Sequence, residues 1–169
     1  MPSRYPQQQR LNADCGLFGS RTVLVPDIKV FAIRGQVVCV KRPPDLADTI
    51  ILHEEKEELS YIVPRSADCI LGGTAEKNSE QLTADPVTAA NILRKCRNIV
   101  STLEIAPVIG HKVGLRPGRH EVRLEREDPS LGKAIIHNYG HGGSGFTLAW
   151  ACANDVVQMA ETWRIKSVR

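Results

Sequence analysis

The sequence has no strand near its N-terminus that leads into G-x-G-x-x-G, and it has no G-x-x-x-x-G-K-[ST] loop. Both patterns cradle nucleotide phosphates on backbone amides, the first in Rossmann folds and the second in P-loop enzymes. By this criterion the chain carries no dinucleotide-binding fingerprint of its own.

Paired cysteines, long apolar runs and strong charge are also lacking. The five cysteines are scattered without a C-x-x-C pair and no apolar leader precedes them, which predicts reduced thiols and a cytoplasmic location. No apolar run approaches the roughly 20 residues of a membrane span, and the final S-V-R is not a peroxisomal S-K-L signal. The net charge of +3 does not indicate nucleic acid, and the arginines lack interleaved aromatic residues. We therefore expect neither a membrane nor a nucleic acid as partner.

Turn-forming residues divide most of the chain into short elements. Apolar and β-branched runs predict strands at 30–42, 48–52, 60–64, 69–73, 106–116, 120–126 and 133–138. Asp85 and Pro86 predict the N-cap and first residue of a helix, whose apolar residues recur every three or four positions. A second helix is predicted from about Phe146 to about Trp163. The order strands, helix, strands, helix favours an α+β fold.

A cluster of glycines lies directly before the second predicted helix. Its members, within six residues, are Gly140, Gly142, Gly143 and Gly145. Glycine allows positive φ angles and close approach of another group to the backbone. The first amides of the following helix have no intrahelical acceptors, so they favour a negatively charged ligand such as a phosphate or a reduced flavin. A tight turn without ligand stays an alternative, whereas a metal site at His137 and His141 is disfavoured because glycines make a poor helix.

Several segments together resemble one known family. "VGLRPGRHEVRLERE" and "IIHNYGHGGSGFTLAWACA" are similar to the C-terminal part of the FAD-dependent D-amino-acid oxidases, whose relatives include D-aspartate oxidase. "VFAIRGQVV", "SYIVPRSADCILGGTAE" and "DPVTAANIL" match the same family in the same order, and "NADCGLFGSR" is a less regular match. The resemblance extends from about Asn12 to Trp163.

The resemblance implies an α+β fold in which a mixed-sheet substrate domain joins the C-terminal part of a flavin-binding domain. The family's N-terminal dinucleotide-binding segment is missing, and we interpret the chain as a fragment. We expect a disordered start at 1–11, a fragment of the FAD-binding domain at 12–27 and the substrate-binding domain at 28–115. Residues 116–169 are expected to form the C-terminal flavin-binding segment and helix.

Site residues also follow from the resemblance. Arg116, in "GLRPGR", matches the family's partner for the substrate carboxylate, a role that suits a planar guanidinium. The hydroxyl of Tyr61 is implied to reach the same carboxylate, and the carbonyl of Gly143 to receive the substrate amine. The residues implied to contact FAD are Gly16, Arg116, Gly142, Gly143, Ser144, Gly145, Phe146 and Thr147. Arg119 and Arg123 are expected to form structural ion pairs, and no residue is needed as a catalytic acid or base.

The implied activity is the oxidation of D-amino acids to 2-oxo acids with FAD, releasing ammonia and hydrogen peroxide. Where many family members carry a second tyrosine over the pocket, this chain has Glu57 within an acidic segment. Such a segment would repel acidic substrates if it bordered the pocket, which favours a general D-amino-acid oxidase over one specific for D-aspartate. Two alternatives stay open: a truncated relative without cofactor, and an FAD amine oxidase acting on glycine or sarcosine. The sequence also leaves a homodimer open.

Overall fold

The computed structural model describes residues 10–14, 26–55, 58–130 and 133–167. Contacts divide the chain into two compact units, one of residues 1–32 and 116–169 and one of residues 33–115. Of the described helices, none has the length and hydropathy that crossing a membrane would require.

The unit of residues 33–115 contains antiparallel strands covered by a helix. The strand order is β2, β5, β4, β3, where β2 is Phe31–Lys41, β3 is Ile51–Glu55, β4 is Glu58–Pro64 and β5 is Asp68–Gly72. A short strand β6, Glu76–Lys77, pairs with β2. All four runs predicted as strands before residue 74 overlap an observed strand, but the second begins at Ile51, three residues later than predicted.

Helix α1 spans Pro86–Ile99 and begins where the sequence predicts. The side chain of Asp85 caps it, since Oδ2 accepts a 2.6 Å hydrogen bond from the Thr88 amide. Its apolar stripe extends into a 3₁₀ turn at Ser101–Leu103 and faces β4 and β5. The buried core formed there consists of Val38, Val40, Leu46, Ile62, Cys69, Leu71, Ala89, Ile92, Cys96, Leu103 and Ala106.

A buried arginine ties β2 to the segment that enters α1. Arg34 is 2% exposed, and its guanidinium donates to Glu76 Oε1 at 2.6 Å and to Gln36 Oε1 at 2.8 Å. It also donates to the carbonyls of Gln81 and Thr83, each at 2.8 Å. These acceptors compensate the cost of removing a charge from water.

The unit of residues 1–32 and 116–169 contains a parallel and an antiparallel strand pair. Strand β8, Lys133–His141, lies parallel to β1, Arg10–Asp14, and antiparallel to β7, Val108–Ser130. Helix α2, Gly145–Ser167, follows β8 and packs against it. Strands of both orientations with two helices confirm the predicted α+β fold. Strand β1 begins at Arg10, so the last two residues of the start expected to be disordered have strand pairing, which composition alone does not reveal.

Strand β7 differs from the sequence prediction in two respects. It is one strand where two were predicted, because the chain passes Pro117 with a shift in register between Gly118 and Arg123 instead of ending there. In residues 120–126, the alternation of Val122 and Leu124 with charged residues predicts that the face of these two apolar residues is buried. The structure differs, since Val122 is 42% exposed whereas the side chain of Arg123 is 18% exposed. Ion pairs and a tyrosine hydroxyl cover Arg123, so a charged residue occupies the less exposed face.

Candidate functional site

The turn between β8 and α2 requires glycine at two positions. Gly140 has φ of +88° and Gly142 has φ of +58°, in the region that L side chains avoid. A Cβ atom on Gly140 would also lie 2.7 Å from Cβ of Arg119. The positive φ angles that glycine allows are therefore adopted at these two residues of the cluster.

Backbone hydrogen bonds fix this turn against β7. The amide of Gly142 donates to the carbonyl of Pro117 at 2.8 Å, and the amide of Ser144 donates to the carbonyl of His141 at 3.0 Å. The first helical bond of α2 joins the Leu148 amide to the Ser144 carbonyl at 3.1 Å. Because Arg116 directly precedes Pro117, the Gly142 bond holds the arginine and the glycine turn in one local structure.

The outer side of the turn is open to solvent. Residues 143–147 are all exposed, and a Cβ built on Gly143 would meet no heavy atom within 4 Å. In an α-helix the amides of the first turn have no intrahelical acceptor. In α2 these are the amides of Gly145, Phe146 and Thr147. The turn thus combines an open backbone at Gly143 with a positive helix end, an arrangement that can hold a flat, electron-rich ligand.

A cleft of about 310 Å³ adjoins the inner side of the turn. Its lining residues are Pro117, Asn138, Tyr139, His141, Gly142, Gly145, Ala149 and Cys152. The side-chain oxygen of Asn138 is buried there without a hydrogen-bond partner, so it can accept a hydrogen bond from a ligand. Sγ of Cys152 lies 3.4 Å from Nε2 of His141. Within the part of the chain described, no group of three acidic, histidine or cysteine side chains could hold a metal ion.

Asp27 is the centre of a polar network beside the turn. Its Oδ2 accepts hydrogen bonds from the hydroxyl of Tyr139 at 2.8 Å and from Nε of Arg119 at 3.2 Å. Arg123 donates to the Tyr139 hydroxyl at 2.8 Å and pairs with Glu125 at 2.6 Å. The expectation that Arg119 and Arg123 form structural ion pairs is confirmed. The network also holds Arg119, the residue of β7 that lies against Gly140.

Opposing effects set the pKa values in this network. Burial would raise the pKa of Asp27, but hydrogen bonds from the Lys29 amide and the Tyr139 hydroxyl, together with two arginine charges, lower it below 3.8. Burial would likewise lower the pKa of Arg123, whereas its bonds to Tyr139 and Glu125 raise it. Both groups are therefore held in their charged forms.

The predicted site residues fall into three places. Arg116, partly buried in β7, and residues 142–147 lie in one unit, where the Gly142 bond joins their segments. Tyr61 lies in β4 of the other unit. Gly16 and Glu57 lie outside the described residues.

Sequence reasoning missed Asp27 and Asn138. Asp27 precedes the first long β run, and no local pattern marks its contact with Tyr139, which lies 112 positions later. Asn138 stands inside the quoted glycine-rich motif, but only the structure distinguishes its unpaired oxygen. The spacing of Gly140, Gly142 and Gly145 does satisfy G-x-G-x-x-G, although it follows the last strand rather than the first.

The sequence that forms this site also matches a known protein family. Residues 12–159 match the model of the DAO family, described as FAD dependent oxidoreductase. Since the match covers most of the chain, the protein belongs to this family.

Individual relatives are consistent with that assignment. The chain is similar to D-amino-acid oxidase of Rubrobacter xylanophilus, with 49% identity over 137 residues, 81% of this chain and 42% of that protein. It is similar to D-amino-acid oxidase of Streptomyces coelicolor, with 40% identity over 147 residues, 87% of this chain and 46% of that protein. The chain therefore spans less than half the length of these relatives.

A solved structure shows the same fold. The crystal structure of glycine oxidase from Geobacillus kaustophilus superposes with a TM-score of 0.72 at 22% identity, covering 87% of this chain and 40% of that one. At this identity the likeness concerns the fold alone.

The residues at the turn fit the FAD that the family name specifies. The open backbone at Gly143 leaves room for a planar ring, the first amides of α2 can donate to ring oxygens, and Asn138 offers an unused acceptor.

Proposed function

We propose that the protein carrying this chain oxidises D-amino acids to 2-oxo acids with FAD. The observation that carries the proposal is the 2.8 Å bond between the Gly142 amide and the Pro117 carbonyl, which joins the segment of Arg116 to the glycine turn. The bond supports the proposal because it brings the segment that carries Arg116, the proposed carboxylate-binding residue, next to the turn proposed to hold the flavin. The names of the relatives from Rubrobacter xylanophilus and Streptomyces coelicolor support the choice of D-amino acids.

In this proposal Arg116 binds the substrate carboxylate. A guanidinium offers two parallel N–H donors to a carboxylate, so it fixes the orientation of the group as well as its position. Two bonds from one planar side chain prevent the substrate from rotating about its Cα–carboxylate axis. We assign Tyr61 as a further donor to this carboxylate on the strength of the family resemblance of "SYIVP".

The carbonyl of Gly143 accepts a hydrogen bond from the substrate amine. With the carboxylate and the amine both held, only one enantiomer directs its Cα hydrogen towards a ring lying on the turn. The D configuration is then selected because the directions of the carboxylate, the amine and the Cα hydrogen are all fixed around the same carbon. No catalytic acid or base is needed.

The proposed contacts with FAD come mostly from the backbone of the turn. They involve Gly16, Arg116, Gly142, Gly143, Ser144, Gly145, Phe146 and Thr147. When bound, FAD would supply a two-electron acceptor for the Cα hydride that oxygen regenerates with release of hydrogen peroxide. The turn and the first amides of α2 orient the ring, and their partial positive charge favours electron density at its pyrimidine end. A cytoplasmic location stays a prediction from the sequence.

The test is peroxide release by the whole protein supplied with FAD, because the chain spans under half of its relatives. We expect peroxide and 2-oxo acid with D-alanine, and none with L-alanine. Activity with glycine or sarcosine and not with D-alanine would instead establish the glycine or sarcosine type of amine oxidase.

Flavin binding is measured separately. Purified protein should show flavin absorbance bands, and titration with FAD should quench flavin fluorescence. A folded whole protein that takes up no FAD would contradict the proposal and support the alternative of a remnant without cofactor.

A further inference from the structure

The ring of Tyr61 lies against two consecutive glycines of the neighbouring strand. Tyr61 in β4 is paired directly with Gly72 at the end of β5. A Cβ built on Gly72 would overlap Cζ of the ring and lie 2.5 Å from its hydroxyl oxygen. A Cβ built on Gly73 would overlap Cε1 and lie 3.2 Å from the same oxygen. A residue with a side chain in place of Gly72 or Gly73 would therefore collide with the hydroxyl end of the Tyr61 ring.

The backbone beneath the ring is itself held in place. The Gly73 amide donates to the Leu59 carbonyl at 3.3 Å. The thiol of Cys96, a fully buried residue of α1, lies 3.7 Å from the carbonyl of Tyr61 and 3.8 Å from that of Gly72. Burial raises the pKa of this thiol to about 11, so it stays protonated and can donate its one S–H to either carbonyl. The surface under Tyr61 thus has little freedom to shift.

We propose that Gly72 and Gly73 are positioning residues that fix the direction of the Tyr61 hydroxyl towards the substrate carboxylate. The proposal rests on the function proposed above, in which Tyr61 is a donor to that carboxylate. A tyrosine whose ring is already immobilised loses less conformational freedom on binding, so its hydrogen bond contributes more to affinity. A side chain at Gly72 or Gly73 would turn the ring and move the hydroxyl away from its acceptor.

The contact is tested first by stability, without reference to activity. We expect Gly73→Ala to lower the melting temperature when Tyr61 is present and to have little effect in a Tyr61→Ala background, where the ring is gone. Gly110→Ala is the matched control, because a Cβ there would meet nothing within 4 Å. Equal losses from Gly73→Ala in both backgrounds would overturn the proposal.

The positioning role is tested by kinetics on the whole protein. Gly73→Ala and Tyr61→Phe should each raise KM for D-alanine by at least about tenfold, with a smaller change in kcat. Inhibition by propionate, a carboxylate without the amine, should weaken by a similar factor. Adding Gly73→Ala to Tyr61→Phe should raise KM no further, since the hydroxyl that the glycine directs is already absent.

The outcomes separate this proposal from the one on which it depends. If wild type oxidises D-alanine and Gly73→Ala raises KM equally with and without the hydroxyl, the positioning role is overturned while the proposed function stands. If wild type oxidises no D-amino acid, both proposals fail, although the stability measurement would still report the contact of the ring with the glycines.

Discussion

The hydroxyl of Tyr139 donates a 2.8 Å hydrogen bond to Oδ2 of Asp27, a residue 112 positions earlier in the chain. Arg119 donates to the same carboxylate oxygen at 3.2 Å, and Arg123 donates to the hydroxyl at 2.8 Å. The carboxylate therefore connects the segment before β2 to two strands, one of which leads into the glycine turn. This connection gives the site a rigid support that lies outside the turn itself.

Removing the hydroxyl should measure the strength of that support. We expect Tyr139→Phe to lower the free energy of unfolding by about 1.5–3 kcal/mol, because a hydrogen bond to a buried charged group is lost. Urea unfolding followed by circular dichroism gives the difference. As a control, Asp128→Asn removes the partner of Arg126 in a more exposed ion pair, which should cost much less. A similar loss in both variants would show that the Tyr139 contact has no special importance.

Acid should weaken the same network. The pKa of Asp27 is lowered in the folded protein from its usual 3.8, so the unfolded chain takes up this proton first as pH falls. Its contribution to stability is complete above 3.8 and is lost as pH falls through the folded pKa. We therefore expect the stability difference between wild type and Asp27→Asn to be largest near neutral pH and to shrink below 3.8. A difference that stays constant across this range would contradict the assignment of the charge to Asp27.

Local signals explain which parts of this fold the sequence could predict. Asp85 and Pro86 determine the start of α1 through one side-chain cap and one fixed φ angle, and the residue type of Gly140 allows its positive φ. The bond between Asp27 and Tyr139 has no such local signal, because it depends on how distant segments fold together.

The same limit applies to the site. Alternation does not predict the partial burial of Arg123, which ion pairs and a hydroxyl make possible by compensating its charge. The proposed roles of Arg116 and Tyr61 rest on family resemblance, because the spacing of a single arginine or tyrosine in a strand does not indicate a chemical function. The fit of Tyr61 against Gly72 depends on the pairing of β4 with β5, which no local pattern in the sequence specifies.

The guanidinium of Arg34 should not be replaceable by an ammonium group. Its planar fork donates to four acceptors, including the carbonyls of Gln81 and Thr83, whereas lysine has three donors on one atom. We expect Arg34→Lys to lower the free energy of unfolding by more than about 2 kcal/mol, since buried acceptors lose their partners. Arg65→Lys, at an exposed ion pair with Asp68, is the control and should have a small effect in thermal melts. Equal melting temperatures for the two variants would refute this role.

Substitution of Arg116 should separate substrate binding from cofactor binding. In the whole protein we expect Arg116→Ala to abolish turnover and Arg116→Lys to lower kcat/KM for D-alanine by roughly a hundredfold, because lysine cannot make the bidentate contact. Flavin binding, followed by fluorescence quenching, should stay mostly intact, because most of the other proposed contacts with FAD come from the backbone of the turn and do not depend on Arg116. The control is Arg126→Lys in the same strand, which should keep normal kinetics. Near-normal turnover by Arg116→Ala would remove the substrate assignment.

The turn allows cofactor binding to be tested apart from folding. Gly143→Ala should leave the melting temperature unchanged, because no atom lies within 4 Å of the added Cβ and the residue has no positive φ. The methyl group would project from the open backbone where the flavin ring is proposed to lie, so we expect the Kd for FAD to rise at least about tenfold. Gly140→Ala is the contrasting variant: its φ of +88° and the 2.7 Å approach to Arg119 should destabilise the fold itself. If Gly143→Ala binds FAD as tightly as wild type, the ring must lie against another surface.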